Sequence, residues 1–242
     1  MNLIIDAGNT RTKFAVFDKG NLVFGKEADA PLAALAAKKI CDLYPKISWS
    51  IISAVNNLDP KVIAVLSVFC PVHQVNYRSK TPYKNSYATP SSLGPDRIAL
   101  ATAAFYHNPK GNTLVIDAGT CITYDMVNDY GEYLGGAISP GLHMRYRALN
   151  EQTAKLPLLA PGESFDLIGN ATESSIHSGV INGLCFEMDG FISQYRSRFS
   201  HLTVILTGGD AQFLSKRLKN TIFADSNFLL KGLNYLLEYN KH

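Results

Sequence analysis

Leu3-Ile4-Ile5-Asp6-Ala7-Gly8-Asn9-Thr10, at the start of the chain, has a close counterpart in Leu114-Val115-Ile116-Asp117-Ala118-Gly119-Thr120 near its middle. In both stretches an apolar run of the length of one buried strand ends in Asp-Ala-Gly, with a threonine close by. Recurrence of the same pattern within one chain indicates an internal duplication. We therefore predict two related halves that begin with the same strand.

The residues after each copy support this prediction. Two further strands are expected after the first copy, at residues 12–18 and 21–26, and two after the second, at 122–129 and 132–139. Helical patterns follow in each half, including one over residues 91–106 and a long one over about 171–198. Strands followed by helices predict an α/β fold with mixed sheets flanked by helices. The expected N-terminal lobe covers residues 1–111 and the C-terminal lobe residues 112–242.

Composition excludes several classes of protein. Hydrophobic residues make up 46% and charged residues 18% of 242 residues, which is typical of compact domains and not of disordered chains. The net charge is only +3, and no short window holds four Lys or Arg, so nucleic acid is not an expected partner. The four cysteines form no CxxC pair, which favours reduced thiols over a zinc site. With no apolar stretch of membrane-spanning length and no signal peptide, we expect a cytoplasmic protein without a membrane partner.

The Asp-Ala-Gly turns have the chemistry of a phosphate site. Glycine lets backbone N–H groups approach a phosphate, while the aspartate faces a metal ion. Asp6 would hold Mg²⁺, directly or through water, and Thr10 and Lys13 would offer a hydroxyl and a cation to a phosphate. A single copy is more often an ordinary turn in which the aspartate caps the backbone, so the hypothesis depends on the presence of two copies.

Other nucleotide-binding patterns are absent from the sequence. There is no Walker A motif, no GxGxxG and no HRD or DFG pair, which excludes P-loop, Rossmann and protein-kinase interpretations. A late turn, Thr207-Gly208-Gly209-Asp210-Ala211, follows an apolar strand, and its flat backbone could lie against an adenine.

Asp96 and Arg97 lie together at a predicted helix start. Phosphoryl transfer to an alcohol needs a carboxylate that accepts the hydroxyl proton and cations that offset the charge of the phosphoryl group, and this pair supplies both. The alternative for Asp96 is a favourable interaction with the helix dipole. His143, Arg145 and Arg147 are further candidates for contacting a substrate carboxylate.

Two Asp-x-Gly turns followed by Thr-Gly-Gly-Asp-Ala resemble the superfamily of acetate and sugar kinases, chaperone ATPases and actin. Within it, four motifs are similar to those of type III pantothenate kinases: residues 6–13 (DAGNTRTK), 94–97 (GPDR), 117–120 (DAGT) and 135–141 (GGAISPG). The resemblance covers the whole chain and implies two ribonuclease-H-like lobes with ATP between them.

The resemblance also implies roles for particular residues. Asp96 would be the general base, and Thr120 would contact ATP. Asp117 would bind a monovalent cation, K⁺ or NH₄⁺. The implied ATP contacts of the first turn are Asp6, Ala7, Gly8, Asn9, Thr10, Arg11, Thr12 and Lys13.

Substrate contacts are implied as well. They comprise Tyr87, Gly94, Pro95, Asp96, Arg97 and Thr172. Tyr83 is a rival to Tyr87 on the same loop, and a helix N-cap is the alternative role of Thr172. In the family this threonine comes from the partner subunit, which implies a homodimer with the substrate site at its interface.

The implied activity is ATP-dependent phosphorylation of pantothenate to 4′-phosphopantothenate, the first step of coenzyme A biosynthesis. Two alternatives stay open at this point. One is a kinase of another small hydroxy acid, and the other is a nucleotide-binding regulator on the same fold.

Overall fold

The computed structural model describes residues 1–8, 11–54, 58–162 and 166–241. Contacts divide the chain into two compact units. The first unit contains residues 1–109 and 131–133 together with the end of the chain from residue 227, and the second contains residues 110–130 and 134–226.

The first unit is built on a five-stranded sheet. Its strands are β1 (Asn2–Ala7), β2 (Arg11–Asp18), β3 (Asn21–Asp29), β4 (Trp49–Ala54) and β5 (Val72–Gln74). They lie in the order β3-β2-β1-β4-β5, with β2 antiparallel and β4 parallel to β1. Strand β1 is central, so its apolar side chains Leu3, Ile4 and Ile5 are fully buried.

Three helices of this unit follow its strands. They are α1 (Ala33–Leu43), α2 (Pro60–Phe69) and α3 (Pro95–His107). Asp59 caps α2 by accepting a hydrogen bond from the Lys61 N–H at 2.9 Å, and a proline opens both α2 and α3. The apolar faces of α1 and α2 pack with β1, β2 and β4 in one core, whose members include Leu3, Phe14, Ala37, Ile40 and Leu66.

The second unit repeats this strand order. Its strands are β7 (Thr113–Ala118), β8 (Cys121–Val127), β9 (Glu132–Pro140), β10 (Thr203–Thr207) and β11 (Phe223–Ala224), except that the first two residues of β9 group with the first unit. They lie in the order β11-β10-β7-β8-β9, with β8 antiparallel and β10 parallel to β7. The sheets therefore share strand order and direction around β1 and β7, as the duplication predicted.

The helices of the second unit are α4 (Leu142–Glu151), α5 (Thr172–His177), α6 (Gly183–Arg198) and α7 (Ala211–Ser215). A π-helical segment, Ser178–Asn182, joins α5 to α6, so the long helix expected over residues 171–198 is found with an internal irregularity. Mixed sheets flanked by helices confirm the predicted α/β class.

The helix α8 (Phe228–Asn240) ends the described chain. We expected it in a C-terminal lobe of residues 112–242, but it groups with the first unit. The physical reason is a close helix contact: a Cβ at Gly232 would overlap the Ala99 carbonyl oxygen of α3. Asn2 of β1 also donates a hydrogen bond to Asn234 of α8 at 2.8 Å. The lobe limits remain a prediction about the duplicated halves.

Several local predictions need correction. Helix α3 starts at Pro95 and not at residue 91, because residues 90–92 form a separate 3₁₀ turn. The expected loop over residues 77–95 contains β6 (Lys84–Asn85), which pairs with Glu132 and Tyr133 at the start of β9.

None of the helices in the described ranges combines the length and apolar character needed to cross a membrane.

Candidate active site

Asp6 lies at the carboxyl end of β1, between two neighbouring strands. Its register partners are Lys13 on β2 and Ser53 on β4. The pKa of Asp6 is raised from its ordinary 3.8 to about 6, chiefly by burial and to a smaller extent by the charge of Asp96. Lys13 and the Ser53 hydroxyl oppose this rise in pKa. The Asp6 carboxylate therefore has cationic, anionic and hydroxyl groups around it, as a ligand-binding carboxylate would.

Gly8 and Arg11, on either side of residues 9 and 10, lie close together. The Gly8 N–H donates to the Arg11 carbonyl at 3.0 Å, and a Cβ at Gly8 would lie only 3.2 Å from that oxygen. Asn9 and Thr10 are outside the described residues, so their predicted contacts stay predictions.

The other predicted ATP contacts near this turn differ in how exposed they are and in the groups around them. The Arg11 guanidinium lies 3.3 Å from the Glu27 carboxylate in an exposed ion pair. Thr12 is 2% exposed and Ala7 is 6% exposed. The structure therefore brings Lys13 to Asp6, whereas the side chains of Ala7 and Thr12 are enclosed by the protein.

Asp96 is held at the first turn of α3 by its immediate neighbours. Its Oδ1 accepts a hydrogen bond from the Arg97 N–H at 2.9 Å, and Gly94 is the helix N-cap. A Cβ at Gly94 would overlap this Oδ1, so a larger residue there would displace the carboxylate from its present position. Burial is the main cause of a raised pKa of Asp96, which the Arg97 N–H and charge partly offset. Because the charge of Asp96 also acts on Asp6, the two carboxylates belong to one cluster.

Two tyrosines of the segment before α3 differ in how accessible they are to a ligand. Tyr83 is 5% exposed and its hydroxyl donates to the Ile98 carbonyl at 3.2 Å, so it is part of the core. Tyr87 is half-buried, and the Arg97 guanidinium lies 5.6 Å from the centre of its ring. Its ring also packs against Tyr133, with centroids 6.1 Å apart. The geometry thus favours Tyr87 as the residue open to a ligand.

In the second unit, the late glycine turn packs against the second Asp-Ala-Gly turn. Gly208 has a φ of +97°, and a Cβ there would overlap the Asp117 Oδ1 and the Ala118 carbonyl oxygen. The Asp210 N–H donates to that same Ala118 oxygen at 3.0 Å. Thr120, which follows the turn, is exposed. Asp117, Thr120 and the Gly208 turn therefore form a second cluster at the end of β7.

Thr172 is the first residue of α5 and is exposed. The N-cap position belongs to Ala171, whose N–H donates to the Ser174 hydroxyl at 3.0 Å. The alternative role of Thr172 as N-cap is therefore not found. Thr172 borders an open cleft of about 600 Å³ together with Ile176 and Leu149.

Arg145 already has protein partners. Its guanidinium donates to the Ser139 hydroxyl at 2.8 Å, the Pro140 carbonyl at 2.9 Å and the Glu187 carboxylate at 2.6 Å. These bonds tie α4 to β9 and α6. The hypothesis that Arg145 binds a substrate carboxylate therefore has no support in the structure.

The metal-binding capacity of the described residues is limited. They contain no group of three or more His, Cys, Asp or Glu side chains that could form a metal centre. Mg²⁺ does not need such a group, since it is commonly held by one or two carboxylates, substrate phosphates and water. Asp6 fits that requirement, because it is partly exposed at a strand end.

No sequence motif marks Ser53 as a candidate site residue. Its hydroxyl is buried beside Asp6 without a hydrogen-bond partner in the described structure. The signal that points to it is the parallel alignment of β1 with β4, which places a hydroxyl opposite the motif aspartate.

Comparison with known proteins agrees with the resemblance. A family model described as type III pantothenate kinase matches residues 2–194. The chain is 46% identical to the type III pantothenate kinase of Flavobacterium johnsoniae over 99% of this chain and 98% of that protein. It is 50% identical to that of Christiangramia forsetii over 100% and 99% of the two chains.

Solved structures show the same fold at lower identity. A Campylobacter jejuni protein, named as a Baf family transcriptional activator, has a TM-score of 0.64 at 22% identity and covers 98% of each chain. The polyphosphate/ATP-glucomannokinase of Arthrobacter sp. strain KM has a TM-score of 0.52 at 17% identity, covering 99% of this chain and 98% of the other. At such identities the likeness concerns the fold alone, and it agrees with the predicted α/β fold of mixed sheets flanked by helices.

Proposed function

The chain belongs to the type III pantothenate kinase family, and from this premise we propose how its residues carry out ATP-dependent phosphorylation of pantothenate. The products are ADP and 4′-phosphopantothenate, and the reaction is the first step of coenzyme A biosynthesis. The pantothenate hydroxyl oxygen bonds to the γ-phosphorus of ATP, and the bond from that phosphorus to the bridging oxygen breaks.

Asp96 is the general base in this proposal. The supporting observation is its position: its carboxylate is fixed at the start of α3 within electrostatic range of Asp6. A carboxylate with a raised pKa is a better proton acceptor than one at the ordinary value, provided that it remains ionised at the working pH. Asp96 takes the hydroxyl proton as the oxygen attacks.

Asp6 and Lys13 serve the phosphates. Asp6 would hold a divalent metal ion, which supplies positive charge that offsets the phosphate oxygens. Lys13, opposite Asp6 on β2, offers its ammonium group to the transferred phosphoryl group. Gly8 and the rest of the turn through Asn9, Thr10 and Arg11 supply the backbone around the phosphates, with Ala7 and Thr12 as packing residues of the strand ends.

Tyr87, Gly94, Pro95 and Arg97 form the pantothenate contacts in this proposal. Arg97 is 5% exposed, which suits a cation that meets a substrate in an enclosed place. Thr172 acts on the partner subunit's substrate, and its exposed position at the start of α5 is compatible with that role.

In the second unit, Thr120 contacts ATP and Asp117 binds a monovalent cation, K⁺ or NH₄⁺. Their support is the family motif and the close packing of the turns around Asp117. The small-molecule substrates and the reduced cysteines are those of a cytoplasmic enzyme, and we propose that location.

The proposed homodimer uses the face formed by α6 and β9. On this face Phe186 is 52% exposed, Leu134 is 39% exposed and Ile138 is 63% exposed. An apolar cleft of about 720 Å³ lies between α6 and β9 on the same face. Exposed apolar area of this kind is characteristic of subunit interfaces.

A nucleotide-binding regulator is the alternative, and the name of the Campylobacter jejuni protein motivates it. A coupled assay of ADP release with ATP, Mg²⁺ and pantothenate, in K⁺ and in Na⁺ alone, separates the two functions. We expect pantothenate-dependent turnover that requires K⁺ or NH₄⁺. Binding of ATP without turnover would favour the regulator.

The same assay tests the base. Asp96→Asn removes the proton acceptor while keeping the shape of the side chain, so we expect kcat to fall by about 10²- to 10⁴-fold. The control is Asp42→Asn on the exposed end of α1, which should leave kcat unchanged. Turnover of Asp96→Asn within a few-fold of wild type would exclude Asp96 as the base.

A further inference from the structure

The Ser53 hydroxyl is a buried polar group without a partner. Ser53 is 0% exposed, and its Oγ has no hydrogen-bonding atom in suitable geometry in the part of the chain that the structure describes. A buried hydroxyl without a partner is costly, and an alanine would fill nearly the same space without that cost. Such a group is explained if its bond forms in another state of the protein.

Position identifies the missing partner. Ser53 is the register partner of Asp6 in the parallel β1–β4 pair, so the two side chains project on the same side of adjacent strands. The Ser53 hydroxyl lowers the pKa of Asp6 as a hydrogen-bond donor does, so it lies within reach of that carboxylate, although the two groups do not meet the full geometry of a hydrogen bond.

Ser50 on the same strand provides a contrast. It is also 0% exposed, but its hydroxyl donates to the Pro71 carbonyl at 3.3 Å, which is an ordinary structural bond. Lack of a partner is therefore a property of Ser53 and not of buried serines on β4.

The duplicated sheet shows the same pairing. Asp117 on β7 has Thr207 on β10 as its register partner in the corresponding parallel pair, and Thr207 is 1% exposed. Both motif aspartates therefore have a buried hydroxyl residue opposite them on the adjacent parallel strand. Because the same pairing occurs in both sheets, we connect the buried hydroxyl residues with the function of the aspartates.

We propose that Ser53 is a positioning residue for Asp6, whose hydroxyl donates a hydrogen bond to one carboxylate oxygen and so turns the other toward the metal–nucleotide complex. Lys13 lies on the opposite side of Asp6, so the carboxylate is oriented from both neighbouring strands. This inference rests on the proposed function of Asp6. Residues that orient a metal-binding carboxylate contribute to metal affinity without touching the metal.

The test is binding of Mn²⁺ in the presence of ADP, measured by the loss of the free Mn²⁺ signal in electron paramagnetic resonance. We expect Ser53→Ala to weaken Mn²⁺ binding about 10-fold, since loss of such an orienting bond typically costs at least that much affinity. In the ADP-release assay the Mg²⁺ concentration for half-maximal rate should rise by a similar factor, while KM for pantothenate stays within twofold of wild type.

Two further variants separate positioning from packing. Ser53→Cys keeps the side-chain volume but is a weak donor, so it should be as defective as Ser53→Ala. Ser50→Ala should lower thermal stability and leave Mn²⁺ binding within twofold of wild type.

Two results would overturn the inference: Mn²⁺ binding by Ser53→Ala within twofold of wild type, or full recovery in Ser53→Cys. Absence of Mn²⁺ binding and of pantothenate-dependent turnover in the wild-type protein would instead overturn the proposed function.

Discussion

Asp6 shows at the residue scale how a buried carboxylate opposes stability. Its folded pKa of about 6 exceeds the ordinary 3.8 because burial removes water from the ionised carboxylate. Above pH 6 the free protein therefore carries an unfavourable charge, and below pH 4 it does not. The sign follows from linkage: a raised folded pKa contributes stability at low pH that is lost as pH rises through the folded value.

Asp6→Asn should therefore stabilise the ligand-free protein at neutral pH while abolishing turnover. The expected gain in the free energy of unfolding is about 3 kcal/mol at pH 7.5 and close to zero at pH 4, because the pKa rises from 3.8 to about 6 and each pKa unit corresponds to about 1.4 kcal/mol. Thermal melts of wild type and variant at both pH values check this. A lower melting temperature for Asp6→Asn at pH 7.5, or an equal gain at pH 4, would contradict it.

The sequence indicates functional candidates that lie in a local motif, but not candidates that depend on which strands pair with each other. Asp6 and Asp96 could be predicted, because each lies in a local pattern whose chemistry can be read directly. Ser53 could not, since its place opposite Asp6 comes from pairing between strands that are distant in the chain. The sequence likewise left Tyr83 and Tyr87 undecided, because the bond from Tyr83 to the Ile98 carbonyl depends on tertiary packing.

At the scale of elements, helix α3 is supported by α8. Gly232 of α8 lies against the Ala99 carbonyl of α3, near Ala103. Small residues on both helices allow this close approach, and α3 carries Asp96 at its start. The position of the proposed base thus depends on a helix contact at the other end of the sequence.

Gly232→Ala should destabilise the protein, although alanine is the better helix former. Its Cβ would overlap the Ala99 oxygen and force the helices apart, at an expected cost of about 1–3 kcal/mol in the free energy of unfolding. The control is Gly190→Ala in α6, where a Cβ has no neighbour within 4 Å, so helix propensity should make it neutral or stabilising. Urea unfolding of both variants tests the difference, and equal effects would show that α8 has room to adjust.

Long elements were predictable and short ones were not. The strands that open each half have strong apolar patterns, and the helical stretch over α5 and α6 is long. Strands β5, β6 and β11 contain only two or three residues each and exist because a neighbouring strand supplies hydrogen bonds. No periodicity can be detected over so few residues.

At the scale of the whole molecule, the apolar face of α6 and β9 is the proposed interface of the homodimer. Phe186 is its largest exposed side chain and borders the cleft of about 720 Å³. If two copies meet through this face, aromatic anchors of this kind contribute most of the binding energy.

Phe186→Glu should convert a dimer into a monomer. A charge in an apolar interface costs several kcal/mol, so we expect the dimer dissociation constant to rise at least 100-fold, as measured by sedimentation velocity. Turnover should fall with dissociation, because Thr172 would no longer reach the partner's substrate. The matched control is Val68→Glu, on a residue of α2 that is 81% exposed. A monomeric wild-type protein with full activity would contradict the dimer.

The return of α8 to the first unit has a consequence for synthesis on the ribosome. Residues 134–226 of the second unit emerge before α8 does, so its sheet and helices can assemble while the chain is still growing. The first unit is made earlier but lacks the helix that covers α3 until the last part of the chain is translated. The first unit is therefore started before the second unit on the ribosome but is completed after it.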